Sequence, residues 1–182
     1  MRYILLSVLV VPAIVILMLF NTYDLPILKV EDLVVEKFAS CGVPHHLCSP
    51  TTMTFVEEDI LILQKNNGVV HQIQDNFWGG KELTEKPVLE VAVNPIRESG
   101  LLGVTSVGST VYIYFTEVDL DEEQLGNRIY KYDWDGDALI NPVLLEELPS
   151  NEYHNGGAMV TGLDNQVYAV IGDTGKYGPL QN

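Results

Sequence analysis

The sequence predicts an all-β fold of repeated antiparallel sheets, two and a half of them, behind one apolar N-terminal helix. Three observations carry this reading. A Thr stands six residues before a short apolar strand at three places: Thr54 before Ile60-Leu61-Ile62-Leu63, Thr105 before Val111-Tyr112-Ile113-Tyr114, and Thr161 before Val167-Tyr168-Ala169-Val170. Beyond residue 30 the chain alternates with period two and shows little helical periodicity. Turn formers punctuate it at short intervals. A repeat of about fifty residues built from short strands is the pattern of propeller blades.

Residues 1–22 form the first segment. Tyr3 to Phe20 is eighteen residues without a charge, with only Ser7 and Pro12 out of character. As a helix this run spans roughly 27 Å, close to the hydrocarbon thickness of a bilayer. Arg2 before it and Asp24 after it favour the N-terminus inside and the remainder outside. A cleaved signal peptide is the competing reading. The segment ends Leu17-Met18-Leu19-Phe20-Asn21 rather than in small residues, which favours an uncleaved anchor. The expected location is therefore membrane-anchored and extracytoplasmic.

Residues 23–50 are a linker and lead-in strand. Cys41 and Cys48 enclose a short loop, and outside the cytoplasm a disulfide between them is the expected state. Such a loop would contribute on the order of 2–3 kcal/mol in the chain-entropy model. A metal site from Cys41, His45, His46 and Cys48 is the alternative, although the spacing matches no standard zinc pattern.

Residues 51–182 hold the sheets. The first unit reads as strands at Thr51 to Val56, Asp59 to Lys65, Val69 to Gln74 and Val88 to Val93. Its turns fall at Glu57-Glu58 and Asn66-Asn67-Gly68, the second a strong hairpin signal. The second unit reads Leu101 to Val107, Thr110 to Glu117, Arg128 to Trp134 and Pro142 to Leu148. Gly108-Ser109, an acidic loop from Val118 to Asn127, and Asp135-Gly136 connect these strands. The third unit begins at Gly157 and carries two strands. Within Val111 to Phe115, the Val, Ile and Phe would face one neighbouring sheet and the tyrosines the other. A β-sandwich is the alternative architecture, but it does not predict the Thr spacing three times. Propellers close with about four to eight blades, so the sequence is expected to be the N-terminal part of a longer protein.

His154-Asn155-Gly156-Gly157 marks the candidate site. The innermost strand of a blade follows it, so His154 is placed at one rim of the central channel. Glu98 lies 56 residues earlier, at the equivalent position of the preceding unit. The first unit has Leu47 there, so the fold itself does not demand a polar residue. Neutral imidazole accepts a proton readily near neutral pH, while the two glycines permit close backbone approach or positive φ. A structural histidine and a solvated carboxylate are the plain alternatives. Asp133-Trp134-Asp135-Gly136-Asp137 imitates a calcium loop, but an EF-hand needs Gly where Ala138 stands and Glu where Leu144 stands. A hairpin turn accounts for it better.

Glu98-Ser99-Gly100-Leu101-Leu102-Gly103, Val111 to Tyr114, Asn127 to Tyr132, Leu148-Pro149 and His154-Asn155-Gly156-Gly157 through Gly172-Asp173 follow one another in an order seen elsewhere. In this the chain resembles the glucose/sorbosone dehydrogenase family, the soluble aldose dehydrogenases dependent on pyrroloquinoline quinone (PQQ), over roughly residues 30 to 182. The resemblance implies a six-bladed propeller, PQQ and calcium as cofactors, a sugar as substrate and an external electron acceptor. His154 would be the general base taking the anomeric hydroxyl proton while hydride passes to the quinone. Glu98, Asn155 and Gln181 would lie beside the cofactor, and the calcium ligands and quinone-clamping cations beyond residue 182. Tyr153 replaces the Asp found beside the His in the best-known glucose oxidisers, which leaves the sugar open. With half the pocket absent, these 182 residues are expected to be inactive alone. A non-catalytic propeller that binds carbohydrate or protein is the alternative function.

Composition narrows the partners. The net charge of −15 opposes binding to nucleic acid or anionic lipid, apart from insertion through residues 3–20.

Overall fold

The computed structural model describes Val35 and residues 48–75, 80–119, 121 and 123–175. The chain divides after Lys37, and all described residues but Val35 belong to the second unit, Phe38–Asn182. Residues 3–20, Cys41, His45, His46 and Gln181 lie outside the described residues. Among the described residues, no helix is long and apolar enough to cross a membrane.

The first sheet comprises β1 (Pro50–Val56), β2 (Asp59–Gln64), β3 (Val69–Asp75), β4 (Lys81–Leu83) and β5 (Leu89–Glu90). The second comprises β6 (Leu101–Val107), β7 (Thr110–Val118), β8 (Gln124–Trp134) and β9 (Leu139–Leu148), and a hairpin of β10 (Gly156–Thr161) and β11 (Val167–Ile171) follows. All pairings are antiparallel and run in chain order from β1, from β6 and from β10. The first strands stand side by side, β1 against β6 and β6 against β10. This is the layout of a partial β-propeller, with the first strand of each sheet innermost.

The fourth strand of the first sheet departs from expectation. Two short strands, β4 and β5, share the place beside β3. Pro87 between them has no N–H to donate, so the ladder breaks there. It continues on either side through Thr84 N–H to Gln72 O and Val88 N–H to Val70 O, each 2.9 Å. The chain then leaves this sheet, and Val93 bridges to Glu117 of β7. β8 also begins earlier than expected. The acidic connection is pinched into a turn by Asp119 Oδ1, which accepts the N–H groups of Asp121 and Glu123 at 2.9 Å. Asp135 closes the β8–β9 hairpin in the same way, accepting from Asp137 at 3.0 Å and Ala138 at 2.8 Å.

The two faces of β7 bury different sets, as the alternation requires. Val111, Ile113 and Phe115 join Val56, Leu61, Leu63 and Val70 in one core between the first two sheets. Tyr114, fully buried, faces the opposite way, its ring beside Gly157 of β10. Burial of this kind supplies the main favourable term in folding. Trp134 Nε1 adds a polar tie across the first interface, donating to Asp59 Oδ2 at 2.9 Å. The β10–β11 hairpin leaves Val160 60%, Tyr168 53% and Val170 60% exposed.

Two of the three repeated threonines, Thr105 and Thr161, have a structural cause. Thr161 Oγ1 donates to Ser106 O at 2.8 Å, and Thr105 Oγ1 lies 2.9 Å from Thr161 Oγ1. Thr161 has one hydroxyl proton, already given to Ser106, so Thr105 is the donor of the second bond. Across the other interface, Ser106 Oγ donates to Phe55 O and Thr51 Oγ1 to Leu101 O. Hydroxyls on the innermost strands thus tie each sheet to its predecessor. Thr105→Val should cost about 1 kcal/mol in denaturant unfolding, and its effect should be non-additive with Thr161→Val in a double-mutant cycle. Strict additivity would exclude the tie.

Candidate active site

His154 lies at the mouth of the β10–β11 hairpin, in the loop leading into β10. Its backbone is left-handed, with φ of 56°. Such a conformation is uncommon for a residue with a Cβ and needs support from its surroundings. Thr174 N–H donates to His154 O at 3.1 Å, and His154 N–H donates to Glu98 Oε2 at 2.6 Å. Glu98 belongs to the preceding sheet's lead-in loop, whose own N–H donates to Glu152 O at 3.0 Å. The two equivalent loops are therefore bonded to each other directly beside the histidine.

The imidazole is half exposed and its Nδ1 lies 2.9 Å from Asp173 Oδ1. The same oxygen accepts Gly175 N–H at 2.8 Å. These two bonds, Gly175 first, hold the Asp173 carboxyl below its ordinary range. Asp173 is then an ionised acceptor, so Nδ1 donates to it, and in the neutral ring the lone pair is left on Nε2. Hairpin register brings the pair together. Gly156 pairs with Ile171, and continuing outward by two residues sets His154 opposite Asp173. A register shift between Gly156 and Met159 is needed for this, because the pairing of Thr161 with Val167, extended unshifted, would set His154 opposite Thr174.

Beneath His154, Asn155 is buried and its amide is saturated. Nδ2 donates to Asn151 O at 2.7 Å and Ser99 Oγ at 3.3 Å, while Oδ1 accepts from Asn127 Nδ2 at 2.9 Å and Asn151 N–H at 3.0 Å. Its backbone carbonyl accepts the Tyr114 hydroxyl at 2.9 Å. Burial pushes that phenol up to about 12, so it remains a donor. Asn127 is itself fixed by Thr116 Oγ1 at 2.7 Å. The side-chain amide of Asn155, expected beside the cofactor, has all four positions taken within the protein, and it holds the loop that carries His154. Gly172 completes the support: a Cβ there would lie 1.8 Å from His154 O.

A cleft of about 540 Å³ opens beside Glu98, lined by Lys65, Arg97, Gly156, Thr51 and Met159 among others. Arg97 lies 5.8 Å from the centre of the Tyr153 ring and 4.0 Å from Glu152. Among the described residues, no group of three or more His, Cys, Asp or Glu could hold a metal ion.

The family model for glucose/sorbosone dehydrogenases matches residues 47–182. The chain belongs to that family. It is 28% identical to quinoprotein glucose dehydrogenase B of Acinetobacter calcoaceticus, over 66% of this chain and 27% of the relative. A solved structure from Thermus thermophilus, provisionally assigned as an oxidoreductase (glucose dehydrogenase), superposes with a TM-score of 0.60 at 20% identity. It covers 72% of this chain, which covers 40% of that one. The chain thus spans well under half of either relative's length.

Within this member of the glucose/sorbosone dehydrogenase family, sequence reasoning brought Glu98 and His154 to one place but missed Asp173 as a partner. The signal was available, because a hairpin whose first strand follows His154 must return near it at the end of its second. Asn127 and Ser99 gave no such signal, as their bonds to Asn155 cross between sheets. Asn155→Ala should lower stability by roughly 2–3 kcal/mol through orphaned buried polar groups, read from the unfolding midpoint. Gly172→Ala should displace His154, so that the contact between its ring and Asp173 is lost in the imidazole NMR signals while the sheets persist by circular dichroism.

Proposed function

We propose that the protein carrying these sheets oxidises an aldose at its anomeric carbon, with His154 as the general base and PQQ as cofactor. The observation that carries this is the His154–Asp173 pair at 2.9 Å. It fixes the tautomer so that Nε2 can accept the anomeric hydroxyl proton, and the adjacent carboxylate stabilises the imidazolium formed. Glu98 holds the backbone from which the ring projects. Pyrroloquinoline quinone, when bound, supplies the two-electron acceptor. The cleft fits an anionic, carboxylated group in sign, since Lys65 and Arg97 line its wall with Glu98 as the opposing charge. No calcium ligand is assigned among the described residues. Family membership of residues 47–182 and the likeness to a quinoprotein glucose dehydrogenase support the reading.

The wider arrangement follows from the same support. We propose that further sheets cover the apolar face of the β10–β11 hairpin and close a six-bladed propeller around the cleft. An extracytoplasmic setting, membrane attachment through residues 3–20, a Cys41–Cys48 disulfide and delivery of electrons to an external acceptor accompany that proposal.

The test reconstitutes the full-length protein with PQQ and calcium and follows dye reduction over a panel of sugars. His154→Ala should lower kcat by about 10²- to 10⁴-fold, the usual contribution of a placed base. Asp173→Asn should lower it less and should alter the acid limb of the pH profile. The sign follows from Asp173: its folded pKa is depressed, so its support is present above the ordinary carboxylate range and is lost only as pH falls through the depressed value. Absence of both dye reduction and quinone binding would leave a carbohydrate- or protein-binding propeller instead.

A further inference from the structure

Cations are scarce in this chain: 10 Lys and Arg stand against 25 Asp and Glu. Two of them line the same cleft next to the His154 loop. Neither is closely paired. Lys65 Nζ donates to the neutral Asn66 Oδ1 at 3.1 Å, and Lys65 makes no ion pair among the described residues. The nearest carboxylate acting on it electrostatically is Glu98, whose Oε2 is taken by His154 N–H at 2.6 Å. Partial burial disfavours the lysine's charge and outweighs Glu98, lowering its pKa. A cation that is partly desolvated without a contacting anion is incompletely compensated.

Arg97 is the second such group. Among the described residues its one ion pair, with the exposed Glu152, is long at 4.0 Å, a distance at which exposed pairs contribute little. Its guanidinium is instead placed over the Tyr153 ring, 5.8 Å away, a contact that positions the fork without neutralising it. The Arg97 backbone is left-handed, with φ of 55°. Arg97 precedes Glu98 and Tyr153 precedes His154, so the stacked pair flanks the bonded pair. Arg97 is thus held between the same two loops that carry the candidate base, and Lys65 reaches the cleft from the β2–β3 turn.

We propose that Lys65 and Arg97 form a carboxylate-binding subsite of the cleft beside His154. The subsite rests on the redox reading only for its purpose, and its chemistry is testable by binding alone. Two small ligands present that chemistry: a sugar acid such as a uronate, whose carboxylate lies away from its anomeric carbon, and the quinone cofactor with its own carboxylates. A planar guanidinium and an ammonium lining one cleft suit a carboxylate better than a neutral hydroxyl.

Binding to the full-length protein is measured by ligand-observed NMR for D-glucuronate and D-glucose, and by quenching of protein fluorescence for PQQ. Lys65→Gln with Arg97→Gln should weaken glucuronate or PQQ about tenfold or more, and should reduce selectivity for the charged ligand over glucose by a similar factor. Arg97→Lys should recover part of the loss, and raising the salt concentration should imitate it. Loss confined to glucuronate identifies a sugar-acid site; loss confined to PQQ identifies a cofactor clamp. If both carboxylates bind the double variant within about twofold of wild type, with its fold intact by circular dichroism, the subsite does not exist. Dye reduction with glucose but no effect of Lys65 and Arg97 on either ligand would sink the subsite and leave the oxidation reading standing. Carboxylate binding lost in the variant, without dye reduction from any aldose, would do the reverse.

Discussion

A primary amide offers two donors and two acceptor positions, and at Asn155 every one of them is used inside the protein. The partners come from the lead-in loop of the second sheet (Ser99), the loop before β10 (Asn151) and strand β8 (Asn127). Tyr114 of β7 reaches the backbone carbonyl of the same residue. A buried group satisfied so completely is expensive to move, because each broken bond leaves a polar atom without water. The residue immediately before it is His154. The left-handed backbone of that histidine is therefore bounded on one side by a fixed anchor, and on the other by Glu98 and Thr174. Chemistry that needs an exposed imidazole aimed in one direction can tolerate half exposure of the ring because its base is immobile.

The same arrangement explains why polar residues between the sheets do not weaken the core. The apolar cluster of Leu61, Leu63, Ile113 and Phe115 lies between the first two sheets. The polar network lies at one end of the second interface, where loops rather than strands meet. Innermost strands there approach closely: a Cβ on Gly103 would fall 1.8 Å from Gly157 O. Hydroxyls short enough to fit that spacing, Thr105 and Thr161, make the ties. Longer side chains would hold the strands apart.

Much of this was legible in the sequence because it is periodic. The threonine spacing, the alternation in β7 and the turn glycines each report a local constraint that recurs with the repeat. The position of Glu98 relative to His154 follows from that recurrence alone, and the structure bonds them directly. What escaped was whatever depends on departures from regularity. Pro87 splits one strand into β4 and β5, and Asp119 tightens the acidic connection so that β8 begins at Gln124 rather than Arg128. The internal bonding of the Asn155 side chain was hidden for a different reason. A polar residue beside two glycines and a histidine reads as a ligand contact, and only three-dimensional placement reveals that its partners are all internal.

The irregular pairing at the start of β10 carries a consequence for how such a chain can drift. His154 meets Asp173 because the ladder slips by one position between Gly156 and Met159. Deleting one residue from the distant hairpin tip, or straightening the slip, would present Thr174 to the imidazole instead. Loop-length variation at that tip is thus coupled to the His154–Asp173 contact at the opposite end of the ribbon.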